Sequence, residues 1–364
     1  MERLGIVGLA NSGKSALFAA LTGMDVEVAP HPFSTKGHNV GTAAVPDPRL
    51  DTLARLSQSK KVVPAQLNVI DIGGLAAGAS AGEGLGNQML GQIREVDAVL
   101  FVLRAFVDDS VPYDVDPPDP DEDLAILEME LCLADLQTVE ARLPKLRKSA
   151  MADPKAKPLV ELLERVSGVL GDGVPLYRAR LTDDERAALY ELWLLTNKKA
   201  LYLINVGEDD LADTDAVTDA FVAAHDAVAR EDALVLCLAL EYEVAQVDDP
   251  DERAELLESY GVSEPAVGRV ARAAYHALGK RTFLTTGDKE SRAWTIRDGD
   301  RAPQAAGAIH SDFERGFIRA EVADYEQVVE AGGWDEAKRA GMVRLEGKDY
   351  VVADGDVIVF RFNV

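Results

Sequence analysis

One octapeptide near the beginning of the chain restricts the possible folds more than any other feature. The segment Gly8-Leu-Ala-Asn-Ser-Gly13-Lys14-Ser15 fits the pattern G-x-x-x-x-G-K-[S/T], and it lies between a short apolar run at 4–7 and a helix-like run that begins at Lys14. In that context the glycines allow backbone N–H groups to surround a β-phosphate, and the helix N-terminus adds positive potential. The pattern predicts a strand, a phosphate-binding loop and a helix.

The side chains of this loop have predicted roles. Lys14 is expected to reach the β- and γ-phosphates, and the Ser15 hydroxyl is expected to bind Mg²⁺. Asn11 has two interpretations: it helps to hold K⁺ between the phosphates, or it stabilises the loop through a local Asx hydrogen bond. The predicted nucleotide contacts in this loop are Asn11, Ser12, Gly13, Lys14, Ser15 and Ala16.

Continuous apolar runs recur along the chain at 67–71, 98–103, 200–206 and 234–240. Because these runs do not alternate with polar residues, they are typical of strands buried on both faces of a parallel sheet flanked by helices. The fold class that they predict is α/β, with a parallel-rich sheet in the nucleotide-binding domain.

Two further segments are predicted to complete the phosphate site. Asp71 ends the 67–71 run and can hold Mg²⁺, usually through water, while Gly74 can donate its N–H to the γ-phosphate. The loop 30–35 contains Thr35, which would complete the Mg²⁺ shell when a triphosphate is bound, with Ser34 as the competing candidate. The predicted catalytic residues are Lys14 and Gly74, and the predicted metal ligands are Ser15, Thr35 and Asp71.

The segment Asn205-Val206-Gly207-Glu208 stands where common GTPases have Asn-Lys-x-Asp after a strand. In those proteins the Asp accepts two hydrogen bonds from guanine, whereas Glu208 is one methylene longer and Val206 replaces the Lys. Leaving the guanine donors unpaired costs roughly 1–3 kcal/mol, and adenine lacks these donors, so the pattern favours ATP. Asn205, Val206 and Glu208 are the predicted contacts near the base, and a simple capped turn is the alternative.

The interval between 107 and 198 has a different character. Leucines recur at helical spacing in two stretches, which predicts an antiparallel helical hairpin at 108–197, inserted into the α/β domain. The tip of this hairpin is basic in an acidic chain, and it is either a solvated helix turn or a docking patch for RNA or a ribosome. The basic residues of the tip are Lys145, Arg147, Lys148, Lys155 and Lys157. After about residue 280, short β-rich pieces predict a separate small α+β domain.

Composition limits the setting and the partners. The chain has 63 acidic and 38 basic residues and a net charge of −25, which argues against a surface that binds polyphosphates generally. Its two cysteines lie in apolar surroundings and suit a reducing compartment. No apolar run approaches the ~20 residues needed to span a membrane, and the beginning of the chain lacks a signal-peptide core. We therefore expect a cytoplasmic protein without membrane association.

Taken together, these features resemble the YchF/Obg-like ATPase family of P-loop proteins over nearly the full length of the chain. The motifs that carry the resemblance are Gly8 to Ser15, Pro32-Phe-Ser-Thr35, Val45-Pro-Asp-Pro-Arg-Leu50, Asp71-Ile-Gly-Gly-Leu75, the glycine-rich run 78–87, Ile93-Arg-Glu-Val-Asp97, Asn205-Val-Gly-Glu208, Arg292-Ala-Trp-Thr-Ile296, Ala302-Pro-Gln-Ala-Ala-Gly307, Asp312-Phe-Glu-Arg-Gly-Phe-Ile-Arg319 and Glu346-Gly-Lys-Asp-Tyr350.

The resemblance implies a division into three domains. They are an OBG-type G domain at 1–107 and 198–279, the helical hairpin at 108–197, and a C-terminal TGS domain of β-grasp type at 280–364. The resemblance also implies a preference for ATP over GTP, a hydrophobic residue in place of the catalytic Gln, and association with ribosomes.

Some positions depart from common GTPases or from the family pattern. Leu75 occupies the position where many GTPases have a Gln that orients the attacking water. Ala10 replaces a Pro of the family loop, and Ala77 replaces a Lys. Tyr113 occupies, by spacing, the position of a family His proposed to assist hydrolysis, and a phenol with a pKa near ~10 is a poor general base at neutral pH.

The sequence therefore predicts a Mg²⁺-dependent ATPase, with K⁺ as a candidate second cation, that binds ATP and the ribosome (the large subunit or the whole particle). RNA contact is expected through the hairpin tip or the TGS domain. Two alternatives remain open: a GTPase of the same architecture, and a nucleotide-gated ribosome- or RNA-binding scaffold with negligible turnover, which Leu75 and Tyr113 favour.

Overall fold

The computed structural model describes residues 2–24, 39–74, 85–113, 115, 117–247, 249–262 and 265–363, without the side chains of Leu85 and Pro250. Several predicted features lie outside the described residues, namely Ser34, Thr35, Leu75 and Ala77. The chain divides into two compact units, one formed by 1–42 and 68–277, and the other by 43–67 and 278–364.

The strands of the described part are β1 (Arg3–Val7), β2 (Asn39–Val45), β3 (Val62–Val63), β4 (Ala65–Asp71), β5 (Ala98–Arg104), β6 (Lys199–Asn205), β7 (Ala233–Leu236), β8 (Lys280–Thr285), β9 (Ser291–Arg297), β10 (Phe317–Ala323), β11 (Arg344–Glu346) and β12 (Val357–Phe362). Its α-helices are α1 (Lys14–Thr22), α2 (Pro48–Leu56), α3 (Leu85–Arg94), α4 (Pro120–Ala152), α5 (Lys157–Gly171), α6 (Asp183–Ala188), α7 (Thr214–Ala224), α8 (Leu238–Gln246), α9 (Pro250–Ser259), α10 (Val267–Ala277), α11 (Ala302–Ile309), α12 (Ser311–Arg315), α13 (Tyr325–Ala331) and α14 (Trp334–Arg339).

The first unit is built on a sheet with the strand order β2-β4-β1-β5-β6-β7. Strand β1 is parallel to β4 and β5, and β5, β6 and β7 continue in parallel. Every residue of β5 is buried, as expected for a strand covered on both faces. These pairings confirm the predicted α/β class and its parallel sheet.

The predicted strand 234–240 is shorter in the structure. Strand β7 ends at Leu236 and helix α8 begins at Leu238. At the point where the helix begins, the Leu238 N–H donates to the side-chain oxygen of Asn205 at 3.0 Å instead of continuing the strand. Continuous hydrophobicity alone does not distinguish the end of a buried strand from the beginning of a buried helix.

The predicted helical hairpin is confirmed: α4 and α5 pack together around a shared apolar core that includes Val139, Leu163 and Val166. The Asp119 side chain caps α4 by accepting hydrogen bonds from the N–H groups of Asp121 and Glu122. The first part of α4 belongs to a different core.

Leu124, Leu127 and Leu131 of α4 share an apolar cluster with Phe101 of β5 and Tyr202 of β6. Burial of these leucines against the sheet explains why the hairpin falls within the first compact unit rather than forming a unit of its own. The predicted boundaries at 108 and 197 stay a prediction.

The second unit contains a mixed sheet with the order β11-β10-β12-β8-β9-β3. Strands β8 and β9 are antiparallel, as are β10 and β12, whereas β3 runs parallel to β9. Its core includes Phe283, Ile296, Val322 and Ile358.

The compact units differ from the predicted domain division at residues 43–67, which the prediction assigned to the nucleotide-binding domain. In the structure they cluster with 278–364. The reason is a set of long-range bonds: β3 pairs with β9, the Ser59 hydroxyl donates to the Gly287 carbonyl at 2.7 Å, and Arg49 forms an ion pair with Asp354 at 2.9 Å. No local sequence pattern reports such pairings.

Among the described residues, no helix has both the length and the apolar character that crossing a bilayer requires.

Candidate functional site

The phosphate-binding loop joins β1 to α1, as predicted, and two glycines in it are required by close contacts. A Cβ atom on Gly8 would lie 2.5 Å from the Val102 carbonyl oxygen. Gly13 has a φ of +105°, and a Cβ atom there would lie 2.5 Å from Nδ2 of Asn205. Only glycine combines this backbone conformation with this close approach. The loop is therefore held tightly against β5 and β6.

Lys14 begins α1 and its side chain is buried, with 7% of its surface exposed. Its Nζ donates a hydrogen bond to the Leu9 carbonyl at 2.5 Å, so the ammonium group folds back over the loop. Burial lowers the pKa of Lys14 to about 8, and the charges of Asp71 and Asp123 partly oppose this shift. A buried ammonium ion of this kind is well suited to an anionic ligand.

Ser15 and Asp71 meet beside Lys14. The Ser15 hydroxyl donates to Oδ2 of Asp71 at 3.2 Å, and Asp71 is buried at the end of β4. Burial raises the pKa of Asp71, while Lys14 lowers it. A hydroxyl and a carboxylate are hard oxygen donors, which Mg²⁺ prefers, so these two residues fit the predicted metal.

Gly74 lies against the phosphate-binding loop. A Cβ atom on Gly74 would lie 3.0 Å from both N and Cα of Ala10. The absence of a side chain therefore allows the backbone of 73–74 to approach the loop closely. Gly74 therefore lies against the loop that contains Lys14 and Ser15, and its γ-phosphate contact stays a prediction.

Asn205 has a role in the protein that the sequence did not reveal. Its Nδ2 donates to the Ser12 carbonyl at 3.0 Å, and its Oδ1 accepts the Leu238 N–H at 3.0 Å. The residue is 3% exposed. Asn205 thus clamps the phosphate-binding loop to the β7–α8 turn, and its predicted contact near the base stays a prediction.

The other residues predicted near the base follow β6 directly. Val206 is buried, whereas Glu208 is exposed and begins a 3₁₀ turn over Glu208–Asp213. The Tyr260 hydroxyl is hydrogen-bonded to Glu208, and the charge of Glu208 raises the pKa of Tyr260. The Glu208 side chain is therefore exposed at the protein surface, and its contact with the base stays a prediction.

Asn11 makes a contact beyond its own loop. Its φ is +60°, in the left-handed region, and its Nδ2 donates to the Pro112 carbonyl at 2.9 Å. This bond joins the loop to a distant segment of the chain and differs from the local Asx hydrogen bond of the alternative interpretation. The K⁺ role stays a prediction.

Arg104, Tyr113 and Asp123 form a cluster beside this loop that sequence reasoning missed in part, because only Tyr113 had been singled out. Asp123 accepts the Arg104 N–H on Oδ2 at 2.9 Å, and the same oxygen accepts the Tyr113 hydroxyl in a very short hydrogen bond. The Arg104 guanidinium lies 4.6 Å from the centroid of the Tyr113 ring. The only sequence feature that could have indicated this cluster was Arg104, a lone arginine at the end of the apolar run 98–103.

A parallel sheet whose first strand enters such a loop, with a lysine, a hydroxyl and a carboxylate gathered at its end, defines the class of P-loop nucleotide-binding proteins. Comparisons with known proteins identify the family. A family model described as "50S ribosome-binding GTPase" matches residues 3–134, and one described as "YchF-GTPase_C: Protein of unknown function (DUF933)" matches residues 281–363.

Relatives match over almost the whole chain. The chain is 44% identical to "Ribosome-binding ATPase YchF" of Bacillus subtilis, covering 99% of each, and 38% identical to "Obg-like ATPase 1" of Pongo abelii, covering 99% of this chain and 92% of that one. The solved Schizosaccharomyces pombe YchF GTPase aligns with a TM-score of 0.83 at 33% identity, covering 99% of this chain and 97% of that chain. The chain belongs to the YchF family, which confirms the resemblance found in the sequence.

Proposed function

We propose that this chain is a cytoplasmic, Mg²⁺-dependent P-loop ATPase that binds and hydrolyses ATP, accepts GTP less well, and associates with the ribosome in a nucleotide-dependent way. The observation that carries the proposal is the meeting of Lys14, Ser15 and Asp71 at the ends of β1 and β4. The names of the relatives support ATP as the nucleotide and the ribosome as the partner.

Each residue of the site has a defined task in this proposal. Lys14 and the N–H groups of 11–16 bind the phosphates, and Gly74 donates its N–H to the γ-phosphate. Ser15, Asp71 and Thr35 would hold Mg²⁺, which neutralises phosphate charge when it is bound. K⁺ beside Asn11 is the proposed second cation. These roles extend the observed geometry of the described residues to the bound state.

Glu208→Asp tests the choice of base. Shortening the side chain by one methylene restores the carboxylate position that suits guanine, so we expect GTP affinity to rise roughly tenfold relative to ATP. Competition binding of labelled ATP against GTP measures the relative affinity. Repeating it in K⁺ and in Na⁺ tests whether K⁺ contributes to nucleotide binding. Asp209→Glu, which changes an exposed neighbouring carboxylate by one methylene in the opposite direction, is the control and is expected to alter neither affinity. A hundredfold preference of the parent protein for GTP would contradict the proposal and would indicate a GTPase.

The tip of the hairpin supports contact with a polyanion. Lys145, Lys148, Lys155 and Lys157 are exposed, and no ion pair is seen for them in the part of the chain that the structure describes. Arg147 differs because it pairs with Glu164 at 2.8 Å. Four exposed ammonium groups on the ends of α4 and α5 and the turn between them are suited to ribosomal RNA, since phosphate contacts from lysine carry much of the affinity in such complexes.

Reversing three charges at the tip, with Lys145→Glu, Lys148→Glu and Lys155→Glu, is expected to weaken ribosome binding roughly tenfold or more. Sedimentation with ribosomes in the presence of ATP and of ADP measures the effect. The matched variant reverses three exposed lysines elsewhere, Lys60, Lys289 and Lys348, and has the same net charge. Loss of binding in this second variant alone would assign the contact to the unit formed by 43–67 and 278–364 instead.

A second function has one specific observation in its favour. The Tyr113 hydroxyl, at the position of the family His, donates to Asp123 and is thus not positioned as a base. A nucleotide-gated scaffold would show single-turnover hydrolysis near background together with tight, nucleotide-dependent ribosome binding. Single-turnover measurements with and without ribosomes therefore separate the two functions.

A further inference from the structure

We propose that Arg104, Tyr113 and Asp123 are positioning residues for the phosphate-binding loop: they shape the segment 105–113 so that the Pro112 carbonyl holds Asn11 in place. The inference rests on the proposed nucleotide-binding function and adds residues to it that act through the loop. The segment 105–113 leads from β5 toward the first helix of the hairpin.

Arg104 organises the segment 105–113 from within. Its guanidinium donates to the carbonyl oxygens of Phe106, Val111 and Asp108 at 3.1, 3.2 and 3.3 Å, respectively. The cation also lies 4.1 Å from the centroid of the Phe106 ring. Arg104 is only 1% exposed, and a cation this deeply buried needs such compensation. The segment therefore folds around the Arg104 side chain.

The backbone of Arg104 is held by the sheet. Arg104 is in register with Asn205 of β6, the residue whose side chain clamps the phosphate-binding loop. The guanidinium therefore extends from a rigid strand end adjacent to the loop. A positioning group is effective only when its own support is rigid, and this strand provides it.

Asp123 fixes the end of the segment to helix α4. Its carboxylate is fully buried, and Oδ2 accepts hydrogen bonds from the Arg104 N–H and the Tyr113 hydroxyl. Its other oxygen, Oδ1, has no hydrogen-bond partner among the described residues. The charge of Asp123 also acts on Lys14, which indicates that the cluster and the phosphate site share one electrostatic environment.

The bond from Asn11 to Pro112 connects this cluster to the phosphate-binding loop. Asn11 is a residue other than glycine in the left-handed region, a conformation that side-chain hydrogen bonds help to maintain. Its partner, Pro112, directly precedes Tyr113, whose hydroxyl is bound to Asp123. The chain of contacts therefore runs from α4 through Tyr113 and Pro112 to the loop whose N–H groups would bind phosphate.

Tyr113→Phe is the direct test because it removes the hydroxyl and keeps the ring over Arg104. We expect kcat for ATP to fall and the Kd for ATP to rise, with kcat/KM lowered roughly tenfold, the effect of losing one charge-assisted hydrogen bond that holds the site. Tyr177→Phe is the matched control. It removes a tyrosine hydroxyl that donates to Glu128 at 3.0 Å, also on α4, and it is expected to leave kcat and Kd unchanged.

A double-mutant cycle tests the route of the effect. If Tyr113 acts through Asn11, then Asn11→Gly and Tyr113→Phe combined will lower kcat/KM no further than Asn11→Gly alone. Glycine accepts a positive φ, so Asn11→Gly removes the bond to Pro112 without backbone strain and keeps the inference testable if Tyr113→Phe does not fold. Full additivity of the two changes would overturn the proposed route.

The outcomes separate this inference from the proposed function. If the parent protein hydrolyses ATP and Tyr113→Phe behaves like Tyr177→Phe in kcat and in Kd, the inference is wrong and the function stands. If the parent protein binds ATP without turnover, the proposed hydrolysis fails, and calorimetric ATP affinity of the same variants decides the inference. Weaker binding in Tyr113→Phe and Asn11→Gly, but not in Tyr177→Phe, then supports it.

Discussion

Lys14→Ala is expected to lower kcat/KM for ATP roughly 10²- to 10³-fold. The ammonium group is the buried cation of the phosphate site, and it lies in the field of Asp71 and Asp123. Without it, the carboxylates face the incoming phosphates with no compensating positive charge from the loop side chains. Steady-state hydrolysis measures the loss of turnover, and calorimetric titration with ATP and Mg²⁺ measures the loss of ATP affinity.

Lys198→Ala is the matched control for this experiment. Lys198 is partly buried, its pKa is also lowered by burial, and its Nζ donates to the backbone carbonyls of Arg94 and Val96 rather than lying at the loop. We expect Lys198→Ala to alter stability without altering ATP turnover. Turnover of ATP by Lys14→Ala at the parent rate would contradict the assignment of the phosphate site.

Asn205→Ala is expected to lower the free energy of unfolding by about 2–6 kcal/mol and to weaken ATP binding. The change leaves the Ser12 carbonyl and the Leu238 N–H without their buried partner, and each such group costs roughly 1–3 kcal/mol. Because Asn205 clamps the phosphate-binding loop, its loss also frees the loop that would hold the phosphates. Urea denaturation and calorimetry measure the two effects.

Asn197→Ala provides the comparison for Asn205. Asn197 is half-buried and donates to the Arg186 carbonyl at 3.1 Å, away from the phosphate-binding loop. We expect a destabilisation of about 1 kcal/mol and an unchanged ATP affinity. Equal effects of the two variants on ATP affinity would show that Asn205 does not act through the loop.

Much of the fold could be predicted because its signals are local. The apolar run of β5 is buried along its whole length, and the leucine spacing of α4 and α5 follows the helical period. The compact unit to which residues 43–67 belong could not be predicted, since β3 pairs with β9, more than 200 residues further along the chain. Pairing across such a distance depends on which surfaces meet, not on the pattern of either segment.

The candidate site divides in a similar way. Lys14, Ser15, Asp71 and Gly74 were predicted from motifs. The structure brings Ser15 and Asp71 into contact near Lys14, while Gly74 lies against Ala10 of the phosphate-binding loop. Thr35 lies outside the described residues and stays a prediction. The motif around Asn205 was interpreted only in terms of the base, because its spacing resembles a base-binding segment and carries no information about Ser12. Arg104 and Asp123 belong to no motif and were missed.

The sequence by itself determined the phosphate-binding loop, the parallel sheet behind it, the helical hairpin and the family of this protein. These depend on residues adjacent in the chain or on regular spacing, where local geometry sets which groups come together. Only the tertiary structure decided that Asn205 clamps the loop and that Arg104, Tyr113 and Asp123 lie beside it. Burial drove that choice, because polar groups removed from water must find partners wherever the packed elements place them.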